Sequence, residues 1–418
     1  MRVDELLKIY RREGKFLVLN PLVPSWVVTN ANGVLLIKIF AETLSTQETI
    51  REVSSRAEIP AQNVVNFLDA AKREELFEVP PPLPVREPFQ LRTVYFNMTD
   101  ACNLRCLYCF AATRKEGSAR LTFDDYKKIL DAVKVYNPCA EIVFTGGEPL
   151  LSPLTMPVAR YAKTLGFSRK LMTNATLIDD DNVAALIEAF DSFKISVDGS
   201  DAARHDFYRG KGSFARTIRA IELLKKFSAD VRVAMVVTKK NVDDVAEAAR
   251  HWGGRLIFQP LFPFGNAKAK SDLHLTGKEY FDALKPASVV PFADLRNLIT
   301  ARKKIFKCAL GDAEVSISRS GDVYPCQLLH FDTFKLGNVT DSSFDEIYNS
   351  ARADEFKRHT VDAIEKCRDC DLKFLCGGSC QARHFSEADS LDVAGNFCEY
   401  EREAIVDGLI ASAELQAV

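Results

Sequence analysis

From Thr93 onward the chain alternates between two apolar patterns. The runs VYFNMT, EIVFTGG, RKLMTN, SFKISVDG, VRVAMVVT and RLIFQP have the length and β-branched or aromatic character of strands. The stretches between them repeat apolar residues every three or four positions, as amphipathic helices do. This alternation predicts βα units around a parallel sheet. Glycine, asparagine and acidic residues gather at the carboxyl ends of the runs, where barrel-type folds place their chemistry. Nearer the start, KFLVLNP and SWVVTN predict two short strands. GVLLIKIFAETL, TQETIREVSSRA and AQNVVNFLDAAKREELF predict three helices, with Pro60 where the first turn of the last begins. The stretch VPPPLPVREPF cannot sustain a helix and favours an extended spacer. It predicts a separately folding unit over residues 1–78 and a linker over 79–92.

A chain of 418 residues, 47% of them hydrophobic, exceeds what one core holds and predicts about two or three domains. The net charge of −2 provides no basic stripe for nucleic acid and no polybasic segment for a membrane surface. MRVDELLKIYRREGKF lacks the apolar core of a signal peptide, and no apolar run approaches the length of a membrane-spanning helix. These features predict a cytoplasmic protein. In that compartment, eleven cysteines point to metal or redox chemistry rather than to disulfides.

Three of the cysteines, Cys102, Cys106 and Cys109, form a CxxxCxxC segment just past the first strand-like run. Three thiolates can hold a [4Fe–4S] cluster by three of its irons, leaving the fourth open to a small molecule. A zinc site also begins with short cysteine spacings but needs a fourth ligand nearby. Here Cys139 has no partner spacing, and no histidine lies between Cys109 and Gly146. A second group comprises Cys308, Cys326 at the end of GDVYPC, the run Cys367, Cys370, Cys376 and Cys380, and Cys398. Seven cysteines exceed one site, although Cys367 to Cys398 taken alone also fit a zinc ribbon.

CNLRCLYC followed by GGEP at Gly146–Pro149 resembles the radical S-adenosylmethionine (radical SAM) superfamily, and the order of the later cysteines resembles its SPASM extension. The resemblance implies an α/β fold: a partial (β/α)6 TIM-like barrel over residues 93–290 with an N-terminal winged-helix-like domain and, past a boundary near 290, a C-terminal iron–sulfur SPASM domain over 291–418. The first unit resembles a PqqD-like element, which binds the leader of a ribosomally made precursor peptide; a plain docking or dimerisation domain is the alternative. The implied cofactors are a [4Fe–4S] cluster on Cys102, Cys106 and Cys109, SAM on its open iron, and two auxiliary iron–sulfur clusters. The implied chemistry is reductive cleavage of SAM to methionine and a 5′-deoxyadenosyl radical, with a flavodoxin or ferredoxin type electron donor as partner.

Position by position, the resemblance sets Tyr108 beside the adenine and lets Gly146 and Gly147 bring backbone close to the methionine moiety. Glu148 would accept from its ammonium group. Asn174, Ser196 and Asp198 match ribose and carboxylate contacts, Arg209 is a further candidate for the SAM carboxylate, and Gln259 ends the sixth strand near the adenine. Cys308, Cys326 and Cys380 would hold one auxiliary cluster, and Cys367, Cys370, Cys376 and Cys398 the other. The first set is one ligand short; the loop after Cys308 offers only Asp312 or Glu314, implying an open or carboxylate-capped iron. Sulfatase maturases place a proton-accepting aspartate directly after the GxxxxC cysteine, whereas this chain has Gln327, whose amide cannot take a proton at neutral pH. The expectation is therefore a peptide maturase that joins a cysteine sulfur to a carbon of another residue. Carbon–carbon crosslinking, sulfatase-type maturation and action on a tetrapyrrole or other small molecule are the alternatives.

Overall fold

The computed structural model describes residues 3–57, 59–79, 90–113, 120–285 and 304–412. Most of the expected linker, 80–89, and the expected boundary near 290 lie outside the described residues.

The first unit holds three strands, β1 (Lys8–Arg12), β2 (Lys15–Asn20) and β3 (Ser25–Thr29), in an antiparallel sheet of order β1-β2-β3. Sequence reasoning expected only the last two. β1 reads KIYRR, too charged for an apolar pattern, and forms because the turn at Glu13–Gly14 folds it back onto β2, pairing Ile9 with Val18. A short helix, Val3–Leu6, precedes it, and helices Ala31–Thr43, Thr46–Arg56 and Ala61–Arg73 follow. Asn30 caps the first of these three by accepting from the Gly33 N–H at 2.9 Å. Pro60 is the N-cap of the last helix, at the point where its first turn begins.

Both faces of this sheet are covered, which is why β2 reads as an unbroken apolar run. Val18 and Val27 pack on Leu36, Ile37, Phe40, Val64 and Leu68 of the helices. Leu17, Leu19, Trp26 and Val28 pack instead on Leu372, Leu375, Ile405, Val406, Leu409 and Ile410 near the other end of the chain. Burying each such side chain contributes about 1.5–3 kcal/mol, far more than a surface ion pair. The unit expected to fold separately thus shares a core with the C-terminal region.

Six parallel strands follow: β4 (Thr93–Asn97), β5 (Glu141–Thr145), β6 (Ser168–Thr173), β7 (Ser192–Ser196), β8 (Asp230–Val237) and β9 (Leu256–Pro260), in that spatial order. Val94, Phe96, Ile142, Phe144, Phe193, Ile195, Val231 and Val233 form the outer face, under the intervening helices. Alternation sends Tyr95, Val143, Lys194, Ser196 and Ala234 to the inner face. At the β4 edge the sheet continues with β10 (Glu314–Ile317), parallel to β4 with Val315 beside Val94. The antiparallel strands β11 (Asp322–Tyr324) and β12 (Gly337–Asn338) then complete nine. The C-terminal region is thereby stitched to the strand that leads into the first cysteine motif. Among the described residues no helix is long and apolar enough to cross a membrane.

Candidate functional site

The first cysteine loop springs from the carboxyl end of β4 and is held by backbone bonds to GGEP. Met98 N–H donates to the Thr145 carbonyl at 2.9 Å, Gly147 N–H to Thr99 at 2.7 Å, and Glu148 N–H to Ala101 at 2.8 Å. A Cβ on Gly147 would fall 2.2 Å from the Ala101 oxygen; one on Gly146, whose φ is +131°, would fall 2.4 Å from the Thr99 oxygen. Both glycines are needed because two backbones touch here. Cys109 N–H donates to the Cys106 carbonyl at 3.3 Å, Asn266 N–H to the Cys109 carbonyl at 3.0 Å, and Asn266 Nδ2 to the Cys106 carbonyl at 3.1 Å. Asn174 Nδ2 reaches Asn103 Oδ1 at 2.9 Å and Cys102 Sγ at 3.9 Å. Cys102 is exposed, Cys106 and Cys109 are half-buried, and the three are close enough to act on one another electrostatically. Burial pushes the Cys106 thiol up to about 11, so a thiolate there needs a partner such as a metal.

Glu148 is fully buried and accepts from Thr173 Oγ1 at 2.7 Å, Asn174 N–H at 2.9 Å and Leu150 N–H at 3.3 Å. Burial raises its pKa against these bonds. Tyr108, Asp198 and Arg209, each expected at the SAM site, are bonded to one another. The Arg209 guanidinium and the Tyr108 hydroxyl both donate to Asp198, and Arg209 Nη2 donates to the Tyr108 oxygen at 2.7 Å. The Val236 N–H adds a bond to Asp198 at 3.2 Å. Arg209 is 8% exposed, Tyr108 7% and Asp198 0%, so this triad braces the cysteine loop from beneath. Arg209 is buried because its helix, Ala202–Arg209, lies against that loop, with Leu107 N–H donating to the Tyr208 carbonyl at 3.0 Å. Ser196 and Gln259 are half-exposed at the ends of β7 and β9.

The later cysteines fall into two neighbourhoods. Gly311 N–H donates to the Pro325 carbonyl at 2.9 Å and so brings Cys308 beside Cys326; Cys380 interacts with both. Burial pushes Cys308 up to about 12 and raises Cys326 and Cys380. Cys367, Cys370, Cys376 and Cys398 form the other group, with Cys370 N–H donating to the Cys367 carbonyl at 3.1 Å and Cys398 opening the helix Cys398–Ser412. Among the described residues no three such side chains converge as the ligands of a single metal ion would. A [4Fe–4S] cluster takes each thiolate on a different iron, and each neighbourhood offers thiols that act on one another. Cys139 is exposed and belongs to neither group.

Glu314, one of the two carboxylates expected after Cys308, is half-buried at the start of β10 and acts electrostatically on Cys326; burial raises its own pKa. Other groups escaped sequence reasoning. Lys194 lies on the same face of β7 as Ser196, and burial, helped by Lys170, pushes its ammonium down to about 8. The alternation in SFKIS was the signal that could have found it. Tyr10 of β1 donates to Asp371, which also pairs with Arg402 at 3.1 Å, tying the first unit to the residue after Cys370.

Residues 96–251 match the radical SAM superfamily, and residues 308–371 match SPASM, an iron–sulfur cluster-binding domain. Mycofactocin maturase MftC of Mycobacterium ulcerans is 30% identical over 325 residues, covering 71% of this chain and 85% of that protein. An AdoMet-dependent heme synthase of Oleidesulfovibrio alaskensis is 29% identical over 351 residues, 74% of this chain and 87% of that protein. Streptococcus suis SuiB bound to S-adenosylmethionine shares the fold with a TM-score of 0.58 at 15% identity, over 94% of this chain and 99% of that one. SuiB has also been solved bound to the precursor peptide SuiA, with a TM-score of 0.57 and the same identity and coverage.

Proposed function

We propose that this chain, which belongs to the radical SAM superfamily and carries its SPASM iron–sulfur domain, matures a ribosomally made peptide by linking a cysteine sulfur to a carbon of another residue. It is a radical SAM enzyme whose cofactors are S-adenosylmethionine, a [4Fe–4S] cluster and the auxiliary clusters of the SPASM domain. When bound, the first cluster supplies the electron that breaks the sulfonium bond of SAM. Cys102, Cys106 and Cys109 would hold it by three irons. Gly146 and Gly147 would let backbone pass close to the SAM methionine, and Glu148 would face its ammonium group. Tyr108, Asp198 and Arg209 keep the cysteine loop in place, while Ser196 and Gln259 would line the nucleoside. Cys308, Cys326 and Cys380 would hold one auxiliary cluster and Cys367, Cys370, Cys376 and Cys398 the other. We place the protein in the cytoplasm, where reducing conditions keep eleven thiols available to iron and a flavodoxin or ferredoxin can deliver electrons.

One observation carries the peptide reading: among the described residues β1 pairs only with β2, which leaves its outer edge open beside a groove lined by Leu7, Ile9, Ile37, Lys38 and Ala41. An extended leader can add a strand to such an edge, with backbone bonds giving affinity and side-chain pockets giving register. The names of MftC, a maturase, and of SuiB, solved with its precursor peptide, support this reading. The heme synthase relative supports a second one, SAM-dependent action on a tetrapyrrole, which would need no strand edge.

Binding of a labelled precursor to the full-length reconstituted protein separates them. Ile9→Glu with Lys38→Glu is expected to weaken precursor binding by about tenfold or more while leaving peptide-free 5′-deoxyadenosine formation unchanged. Unchanged binding, or consumption of a tetrapyrrole in place of the peptide, would sink the peptide reading. Deleting residues 1–78 is a poorer test, because it strips the cover from Leu372, Leu375, Ile405 and Leu409.

A further inference from the structure

We infer that Lys194 holds a carboxylate of the substrate peptide inside the barrel, one layer beneath the SAM site, an inference that rests on the peptide reading. Phe193 and Ile195 of β7 lie in the outer core, so Ser192, Lys194 and Ser196 share the inner face. Lys194 is half-buried there, one pleat repeat, about 6.6 Å, below Ser196. Its neighbour on β6 is Met172, which leads into Thr173 and Asn174, the two residues that hold Glu148. Lys194 therefore stands directly under the groups assigned to SAM.

The cations around it all have partners, and Lys194 has none. Lys170, on the same face of β6, pairs with both oxygens of Glu141, at 2.7 and 2.8 Å. Arg232, opposite Lys194 on β8, pairs with Asp230 at 3.7 Å and donates to the Gly254 carbonyl at 3.4 Å. Asp198, past the end of β7, is taken by Arg209 and Tyr108. Among the described residues no carboxylate or carbonyl bonds Lys194, and its neighbours on the two flanking strands are a thioether and a cation. An ammonium so placed costs the fold stability unless an anion joins it. A residue that breaks a folding rule without local compensation marks a site of function. Arg232 is exposed, so the flank toward β8 is open to an entering side chain.

A carboxylate on the peptide, from an aspartate, a glutamate or the chain end, supplies the missing charge. Away from bulk water such a charge-assisted bond is short and strong. It would fix the peptide's register beneath SAM, so that one carbon lies within reach of the radical. A neutral amide in the same place would leave the ammonium stranded, and so Lys194 would select peptides that carry an acid near the residue to be crosslinked.

The test uses the full-length reconstituted protein and the candidate cysteine-containing precursor peptide, made as a set in which each aspartate and glutamate after the leader, and the C-terminal carboxylate, is converted in turn to the amide. One amide version is expected to bind about ten- to a hundredfold more weakly than the parent peptide. Lys194→Met is expected to weaken the parent by a similar factor and to bind that one amide version no more weakly than the unaltered protein does, as two partners in one contact require. Equal affinity for every amide version, or losses from Lys194→Met and from the amide that simply multiply, would overturn the inference and leave the peptide reading standing. A fall in SAM affinity that matches the loss of peptide affinity in Lys194→Met would also overturn it, since the carboxylate would then be that of SAM. Failure of the parent peptide to bind the unaltered protein would overturn both.

Discussion

Replacing Asp198 with alanine isolates the part of the site that the structure treats most differently from expectation. The carboxylate is fully buried and receives the Arg209 guanidinium, the Tyr108 hydroxyl and the Val236 N–H. Asp198→Ala leaves a guanidinium that is 8% exposed with only the Tyr108 oxygen among these partners. Breaking a buried pair from one side costs about 3–5 kcal/mol, because the remaining charge is stranded. Tyr108 lies between two of the loop cysteines and Arg209 ends the helix against which the loop rests, so the cost should fall there. At 1.4 kcal/mol per factor of ten, local opening becomes more frequent by roughly two to three and a half orders of magnitude. Hydrogen–deuterium exchange of the reconstituted enzyme, read by mass spectrometry, measures this directly. Peptides covering residues 104–110 and 202–210 should lose protection while β5 keeps its own. An increase of less than about fivefold in the loop, or an equal loosening of β5, would refute the bracing role.

Gly147→Ala should prevent the loop from closing on GGEP, since its Cβ would lie 2.2 Å from the Ala101 oxygen; iron analysis after reconstitution should show the loss of one cluster, and full iron would contradict the packing. Lys194→Met should stabilise the protein at neutral pH. Burial lowers the folded-state pKa of Lys194 from 10.5 to about 8, so the cost of its charge is full below about pH 8 and fades as pH rises toward the unfolded value. The gain is at most about 3 kcal/mol at pH 7, and a thermal-melt difference that does not shrink by pH 10 would contradict the assignment. Cys139→Ser should leave iron content and SAM cleavage unchanged, because that exposed thiol joins neither cysteine group; lost iron would place it at a site.

Much of this was legible because it is local. The apolar runs ending at Asn97, Thr145, Thr173, Ser196, Val237 and Pro260 carry their own strand pattern, and cysteine spacing is read directly from the chain. What stayed hidden is nonlocal. β1 is a strand only because β2 lies beside it, and β10 only because β4 offers an edge. The N-terminal unit read as autonomous because its apolar residues do not say which face meets its own helices and which meets Ile405 and Leu409. Asp198 and Arg209 each read as polar groups open to a ligand, and only the fold makes them partners. Asp312 and Glu314 read as equivalents until Lys307 claims one of them.

The central claim is that a radical made from SAM acts on a peptide. Anaerobic incubation of the reconstituted protein with SAM, dithionite and a candidate cysteine-containing precursor peptide, followed by mass spectrometry of nucleoside and peptide, tests it most directly. The account expects 5′-deoxyadenosine together with a peptide that has lost two hydrogens per crosslink and gives no fragments between the joined residues. 5′-Deoxyadenosine with an untouched peptide, or no cleavage of SAM while the clusters are intact, would contradict it.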